Sequence, residues 1–326
     1  MSSRTLGAHS YPRTDRDLDR WILERRGPRN AVDASRAVAA FVEKERTERG
    51  DLVAVATILL TNRECPWRCL MCDLWKNTTE TSVVRGAIPA QIRGALAELP
   101  PADRIKLYNS GSFFDPRAIP PADYGEIASL LGGFDRVIVE SHPALIGEAC
   151  ARFRNLLSGD LEVAIGLETV HPEALAKLNK RMTMDDFRRA AERLDSMGIA
   201  LRVFVLLGLP FLSREESLEW ACRSIVAAFD YGAVVVSVVP TRAGNGALDV
   251  LQYAGDFTSP MLDGLEAALA YGIALGRGRV FADLWDVERL RVCGACFSRR
   301  VDRLREMNQS QTLLAPVPCE VCETGQ

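Results

Sequence analysis

No segment of the 326 residues approaches the ~20 uninterrupted apolar residues that a membrane-spanning helix needs. The amino-terminal stretch is polar and arginine-rich, without the apolar run of a secretion signal. The expectation is a soluble cytoplasmic protein with no membrane partner. Charge of one sign is also scarce. Forty Lys and Arg against 43 Asp and Glu leave a formal net charge of −3, so the whole chain offers no basic field to gather nucleic acid. Arginine clusters at both ends can still act locally. With 48% hydrophobic and 25% charged residues, disorder throughout is excluded and a sizeable core is available.

Cysteine, by contrast, is present nine times. Without a secretion signal this points away from a disulfide framework and towards metal or redox chemistry. Seven of the nine fall into tight groups: Cys65, Cys69 and Cys72; Cys293 with Cys296; and Cys319 with Cys322. Cys150 and Cys222 stand alone within apolar helical patterns, where a buried, inert thiol is expected.

Residues 1–50 are rich in charge and carry Pro12, Gly27 and Pro28 around the run from Arg20 to Arg26, which reads as a short helical extension. From Leu52 the pattern changes. Short apolar, β-branched runs at 52–59, 104–107, 136–139, 161–165, 201–207 and 234–239 are each followed by helical periodicity. Such βα alternation requires a parallel sheet with crossover helices. A capping box, Ser213 with Glu216, opens a helix to about Phe229, and Gly198 stops one that begins near Asp185. Six βα units are too few for a closed eight-stranded barrel. The fold class is therefore α/β, a partial (βα)6 TIM-like barrel over residues 51–285, between the extension and a Cys-rich metal-binding region at 286–326.

In parallel α/β folds, ligands bind at the carboxyl ends of the strands. Every run here leads into polar or Gly-containing sequence: the cysteine loop, Tyr108-Asn-Ser-Gly-Ser-Phe113, Glu140-Ser-His142, Gly166-Leu-Glu-Thr169, Gly208-Leu-Pro210 and Pro240-Thr-Arg-Ala-Gly244. Each alone reads as an ordinary turn; six together point to one shared site. Cys65-Pro-Trp-Arg-Cys69-Leu-Met-Cys72 offers three thiolates on one short loop, able to wrap one corner of an iron–sulfur cube and leave one iron open. The alternatives are a zinc knuckle completed by a distant ligand such as His142, or three structural thiols.

The Cys-x-x-x-Cys-x-x-Cys loop after the first strand of a βα repeat resembles the signature of the radical S-adenosylmethionine (SAM) superfamily. That resemblance implies a [4Fe-4S] cluster on Cys65, Cys69 and Cys72. It also implies SAM chelated to the open iron and reductive cleavage of SAM to methionine and a 5′-deoxyadenosyl radical. The segments Gly166–Thr169, Lys180–Thr183 and Gly208–Pro210 are similar to the branch of Elongator-type and coproporphyrinogen-oxidising enzymes. By that likeness Ser110, Gly111 and Ser112 replace a Gly-Gly-Glu stretch that receives the methionyl amino group, and Glu168 and Arg181 occupy SAM-contacting positions. The acid of that stretch is missing, and Met71 stands where an aromatic residue is common; Trp67 can compensate.

The stretches Leu60–Thr78 and Leu107–Phe113 look like the radical SAM subunit of archaeosine synthases and its uncharacterised relatives. The implied reaction is radical C–N bond cleavage on a deazaguanine nucleoside of tRNA. A partner enzyme that prepares the base and an electron donor such as flavodoxin or ferredoxin are implied with it. A radical enzyme acting on a small metabolite or peptide, and a non-enzymatic Cys-rich metal- or RNA-binding adaptor, are the alternatives.

Cys293-Gly-Ala-Cys296 and Cys319-Glu-Val-Cys322 form two knuckles suited to one four-cysteine site, for structural zinc or an auxiliary [4Fe-4S] cluster. Between them Ser298–Arg305 reads as a helix with a basic face, either a phosphate grip or a solvated face paired with Asp302 and Glu306. Asp283-Leu-Trp-Asp286 stands ready to close over the barrel or simply to pack a Trp. Tyr108, Tyr253 and Cys222 are chemically capable hydrogen donors, but nothing in their spacing selects one.

Overall fold

The computed structural model describes residues 11–324. Residues 1–10 of the expected extension and 325–326 of the Cys-rich region lie outside the described residues.

The chain starts with α1 (Asp15–Leu23), capped by the Thr14 side chain, and then enters β1 (Ala39–Arg46) and β2 (Leu52–Leu59), which pair antiparallel. From β2 onward the βα alternation holds. α2 (Ala87–Glu98), β3 (Arg104–Tyr108), α3 (Tyr124–Leu130), β4 (Arg136–Glu140), α4 (Glu148–Leu156) and β5 (Asp160–Glu168) follow in order. Next come α5 (Pro172–Lys177), α6 (Met184–Ser196), β6 (Ala200–Leu207), α7 (Arg214–Asp230) and β7 (Ala233–Pro240). The described chain closes with α8 (Ala247–Ala254), α9 (Leu262–Ala274), β8 (Arg279–Ala282), α10 (Phe297–Ser310) and the short α11 (Glu320–Thr324). All eight strands lie in one sheet in sequence order, with every pair after β1–β2 parallel.

The α/β partial barrel expected from the sequence is present, and its six strands coincide with β2 to β7. The Ser213–Glu216 capping box opens α7 as expected. The sheet gains two further strands, one at each edge. Both escaped the hydrophobic pattern for the same reason: their inward residues are charged, Glu43 and Glu45 on β1 and Arg279 on β8. The sheet curls until Arg279 donates to the Arg46 carbonyl at 2.9 Å, although no backbone ladder joins β8 to β1.

Outward-facing Ile105, Leu107, Val137, Val139, Val163, Ile165, Val203 and Val205 are fully buried under the helical layer. Each contributes about 1.5–3 kcal/mol on leaving water. The inward face at the amino ends of the strands is a lattice of ion pairs. Glu45 meets Lys106 at 2.6 Å and pairs with Arg202; Arg202 meets Glu162 at 2.6 Å; Arg136 reaches Glu162 at 3.3 Å. This floor of crossed charges fills the barrel bottom where an apolar plug would otherwise sit.

The free edge of β8 is covered by side chains instead of a ninth strand. Asn308 of α10 accepts from Ala282 N and donates to Ala282 O, both at 2.9 Å; Gln311 brackets Val280 N and O at 2.8 Å. Two carboxamides thus complete the hydrogen bonds that an exposed edge leaves open. No described helix is long and apolar enough to cross a membrane.

Candidate active site

The cysteine loop leaves the carboxyl end of β2 and is fixed by polar side chains from later in the chain. Asn179, between α5 and α6, donates to the Arg68 carbonyl at 2.7 Å; Asn245, before α8, donates to the Leu70 carbonyl at 2.7 Å and to that of Cys72 at 3.3 Å. Leu70 N donates to the Leu178 carbonyl at 2.9 Å. Below the loop, Glu64 gathers Arg26 at 2.6 Å, Arg68 at 3.0 Å and Arg29. The amino-terminal segment is therefore built into the loop's support. Tyr11 donates to the Lys177 carbonyl at 2.5 Å, and Asp19 accepts from Asn179 at 2.8 Å.

Burial pushes the Cys65 thiol up to about 11 and Cys72 to about 12, and raises Cys69 further still. Lys180 opposes the shift at Cys65 and Cys69, which places a cation beside those sulfurs. Lys180 is itself buried and paired with Glu168 at the end of β5. Gly166 is required beneath this pair, because a Cβ there would overlap the Glu168 carboxylate and the Lys180 ammonium. Gly111 lies close against the loop: a Cβ there would lie 3.3 Å from the Cβ of Cys65. The Ser110–Ser112 turn and the cysteine loop are in contact.

Glu140, at the end of β4, accepts from Asn109 N at 2.6 Å and Gly111 N at 3.4 Å, and burial raises its carboxyl above the ordinary value. Ser112 accepts from His142 N at 2.8 Å. The His142 ring stacks on Trp67 of the loop, with centroids 3.7 Å apart and planes 12° apart. Its Nε2 meets the Lys180 carbonyl at 2.9 Å and its Nδ1 accepts from Ala144 N at 3.2 Å, so both ring nitrogens are engaged within the protein. Burial, with Lys180 nearby, lowers its pKa to about 4. It is a neutral prop for the loop, and the distant-ligand role considered for it has no free nitrogen to use.

Three of the residues assigned to SAM by resemblance, Ser110, Glu168 and Arg181, sit at positive φ of 53°, 65° and 58°. Asn179 does so too, at 54°. Such backbones cost about 1–3 kcal/mol each and gather where surrounding structure holds a site in place. Arg181 faces away from its four neighbours in this set: its guanidinium reaches the Asp15 carbonyl at 2.7 Å, the Asp15 carboxylate and Asp19 at 3.1 Å, on α1. Lys180, adjacent in sequence, is the cation that meets Glu168. Lys180, Glu140, Asn179 and Asn245 were not singled out as site residues from the sequence. The signal available was position, since each lies just after a strand or in the segment that follows it.

Of the capable hydrogen donors, Tyr108 lies inside the barrel against Phe204, 6.1 Å between centroids, with its hydroxyl pushed up to about 12 by burial. Tyr253 is 97% exposed and Cys222 is half-buried on α7. Asp283 binds Arg242 at 2.8 Å, while Trp285 stacks on Phe41 at 6.0 Å. The α10 arginines are largely occupied: Arg300 and Arg303 pair with Glu266 of α9 at 2.5 and 3.4 Å, and Arg305 pairs with Asp302 at 2.7 Å.

The four carboxy-terminal cysteines converge. Their sulfurs all lie within 4.8 Å of one another, with Cys293 and Cys319 at 3.9 Å and Cys296 and Cys322 at 3.7 Å. Among the described residues no other group of three or more metal-ligating side chains is gathered in this way.

No protein-family model matches the chain. It is 29% identical over 221 residues to archaeosine synthase subunit beta of Methanosarcina acetivorans, covering 63% of each chain. To archaeosine synthase subunit beta of Thermococcus kodakarensis it is 30% identical over 172 residues, covering 50% of this chain and 53% of that one. The chain thus spans less than two thirds of the length of these relatives. Among solved structures, methylornithine synthase aligns over 96% of this chain and 93% of its own, with 13% identity and a TM-score of 0.45. The resemblance read from the cysteine loop and the turn after β3 agrees with the two archaeosine synthase subunits.

Proposed function

We propose that this chain is a radical SAM enzyme whose Cys65, Cys69 and Cys72 bind a [4Fe-4S] cluster at the mouth of the partial barrel. The observation that carries this reading is the loop itself. Three partly exposed thiols share one short loop after β2, and the loop's carbonyls at Arg68, Leu70 and Cys72 are pinned by Asn179 and Asn245. That donor set fits a cube with one open iron. Electron transfer from such a cluster into bound SAM supplies methionine and a 5′-deoxyadenosyl radical.

The chain's own residues then have defined work. The Lys180 ammonium offsets the negative charge that the thiolates bring into a low-dielectric pocket. Ser110, Gly111, Ser112, Glu168 and Arg181 form the SAM-binding set by resemblance. Glu140 adds a buried carboxylate behind the Ser110 turn, where the Gly-Gly-Glu acid is missing. Arg181 is held by Asp15 and Asp19 of α1, which ties the amino-terminal helix to this set. Tyr108 is the donor best placed within the barrel.

For the substrate, the similarity to two archaeosine synthase subunits favours a modified tRNA nucleoside and C–N bond cleavage, with a partner enzyme and an electron donor such as flavodoxin or ferredoxin. The paired α10 arginines leave little unpartnered basic surface there, which favours the second reading, a free metabolite or peptide substrate. Zinc or an auxiliary [4Fe-4S] cluster at the carboxy-terminal cysteines completes the proposal.

The test is anaerobic reconstitution with iron and sulfide, followed by SAM and dithionite. Formation of 5′-deoxyadenosine supports the reading; iron uptake without cleavage of SAM returns the chain to the adaptor reading. RNA binding that weakens steeply with salt separates a tRNA substrate from a free one, since phosphate contacts release counterions.

A further inference from the structure

We propose that Cys293, Cys296, Cys319 and Cys322 hold a single tetrahedral ion, zinc by ligand chemistry, and that this ion is the clasp that keeps α10 on the open edge of the sheet. Zinc is thereby chosen between the two occupants left open above, on grounds independent of any chemistry at the barrel mouth.

Sulfur spacing favours one ion. Four thiolates bound at about 2.3 Å to one tetrahedral ion stand about 3.8 Å apart. The observed Cys293–Cys319 and Cys296–Cys322 separations are 3.9 and 3.7 Å, and all four sulfurs lie within 4.8 Å of one another. A four-iron cube places irons and sulfides between its ligands and spreads the thiolates to about 6 Å. The knuckles would have to part by roughly half their present separation again to admit it.

All four converging side chains are thiols, so the site is closed by sulfur alone. Four sulfurs with no open position describe a structural site, and zinc is the redox-inert ion that such a soft, tetrahedral set suits.

The position of the site in the chain gives the ion its role. Cys296 is the residue before α10, and the chain beyond α10 runs back along it: Arg303 donates to the Leu314 carbonyl at 2.7 Å and Arg299 to the Pro318 carbonyl at 3.3 Å. Cys319 and Cys322 thereby return to Cys293 and Cys296, each pair 26 residues apart. The loop so closed contains Asn308 and Gln311, whose carboxamides are the hydrogen-bond partners of β8. Metal binding and edge closure are therefore one structural unit, and the ion's binding free energy is available to hold the edge.

The test has two readouts. The C65A/C69A/C72A variant, reconstituted with iron and sulfide, should hold about one zinc and lose all stoichiometric iron; retention of about four irons would overturn the assignment. The wild-type chain keeps the proposal testable even if that variant fails to fold. Its zinc X-ray absorption should show four sulfur neighbours at about 2.3 Å, and a shell containing nitrogen or oxygen would overturn it. For the clasp, removal of zinc by chelation should speed hydrogen exchange at the Val280 and Ala282 amides at least tenfold over β6 amides. Unchanged exchange in the zinc-free protein would overturn the clasp.

Discussion

The two ends of the barrel use the same kinds of residue to opposite effect. At the floor, Glu45, Lys106, Glu162 and Arg202 are buried, and each carboxylate meets a cation. Burial alone would push Glu45 up, yet Arg202 and Lys106 hold its carboxyl well below the usual range. At the mouth, burial wins. Glu140 is raised although backbone N–H groups and Lys180 favour its charged form, and Cys65 and Cys69 are raised despite the Lys180 ammonium that pairs with Glu168. Both polar atoms of the buried Asn109 side chain have no partner, and four residues adopt positive φ. Paired charges dominate the floor, whereas strained backbone and raised carboxyl and thiol groups gather at the mouth, the end proposed to bind the cluster and SAM. In parallel α/β barrels, stability and function are divided between the ends in this way.

The largest expected effect tests the mouth. In C65A/C69A/C72A, SAM cleavage should fall by more than 1,000-fold, about 4 kcal/mol or more of lost barrier reduction, while the melting temperature moves by only a few degrees. Retained cleavage would break the assignment of the mouth as the reacting end. The floor should answer in stability instead. R202M leaves Glu45 and Glu162 without their shared cation, and breaking a buried pair in this way costs about 3–5 kcal/mol in urea unfolding. A loss below about 1 kcal/mol would mean that the floor is not what holds the curl.

How much of this contrast was legible in the sequence depends on whether a feature is local. The strands β2 to β7 were readable because their outward faces are rich in Ile, Leu and Val, and the grouping of Cys65, Cys69 and Cys72 was plain because the three thiols share one loop. β1 was hidden within the stretch read as a helical extension: Glu43 and Glu45 find their place in the sheet only when Lys106 and Arg202, 63 and 157 residues away, are brought opposite them. Lys180, Asn179 and Asn245 were hidden likewise, since their value lies in contacts to a loop over 100 residues earlier. Adjacent residues illustrate the limit. Likeness pointed to Arg181, which pairs with Asp19 of α1, and passed over Lys180, which pairs with Glu168.

A smaller effect separates the two ends by pH. Because the folded-state pKa of Glu45 lies below its ordinary value of about 4.3, its ion pairs stabilise the protein fully above that value. The stabilisation is lost as pH falls through the interval between the unfolded and the folded pKa. Melting temperature measured from pH 5 downward should therefore drop steeply in the wild type and less steeply in E45Q. Equal slopes in the two proteins would place acid sensitivity elsewhere than the floor.

The smallest effect asks whether strain at the mouth is stored for binding. Ser110 holds φ at 53°, where a residue with a Cβ is disfavoured by about 1–2 kcal/mol. Replacing it by glycine relieves that cost but adds about 0.4–1 kcal/mol of unfolded-state freedom. S110G should consequently be stabilised by about 0.5 kcal/mol, visible as a small rise in the urea midpoint. SAM affinity of the reconstituted protein should nonetheless fall several-fold, because the Ser110–Ser112 turn beside Cys65 is no longer held in one conformation before SAM arrives. A mouth residue that gains stability while losing binding is the inverse of R202M at the floor. If S110G binds SAM as tightly as the wild type, the positive φ is an incidental feature of the turn, and only the thiols and their buried charges distinguish the mouth from the floor.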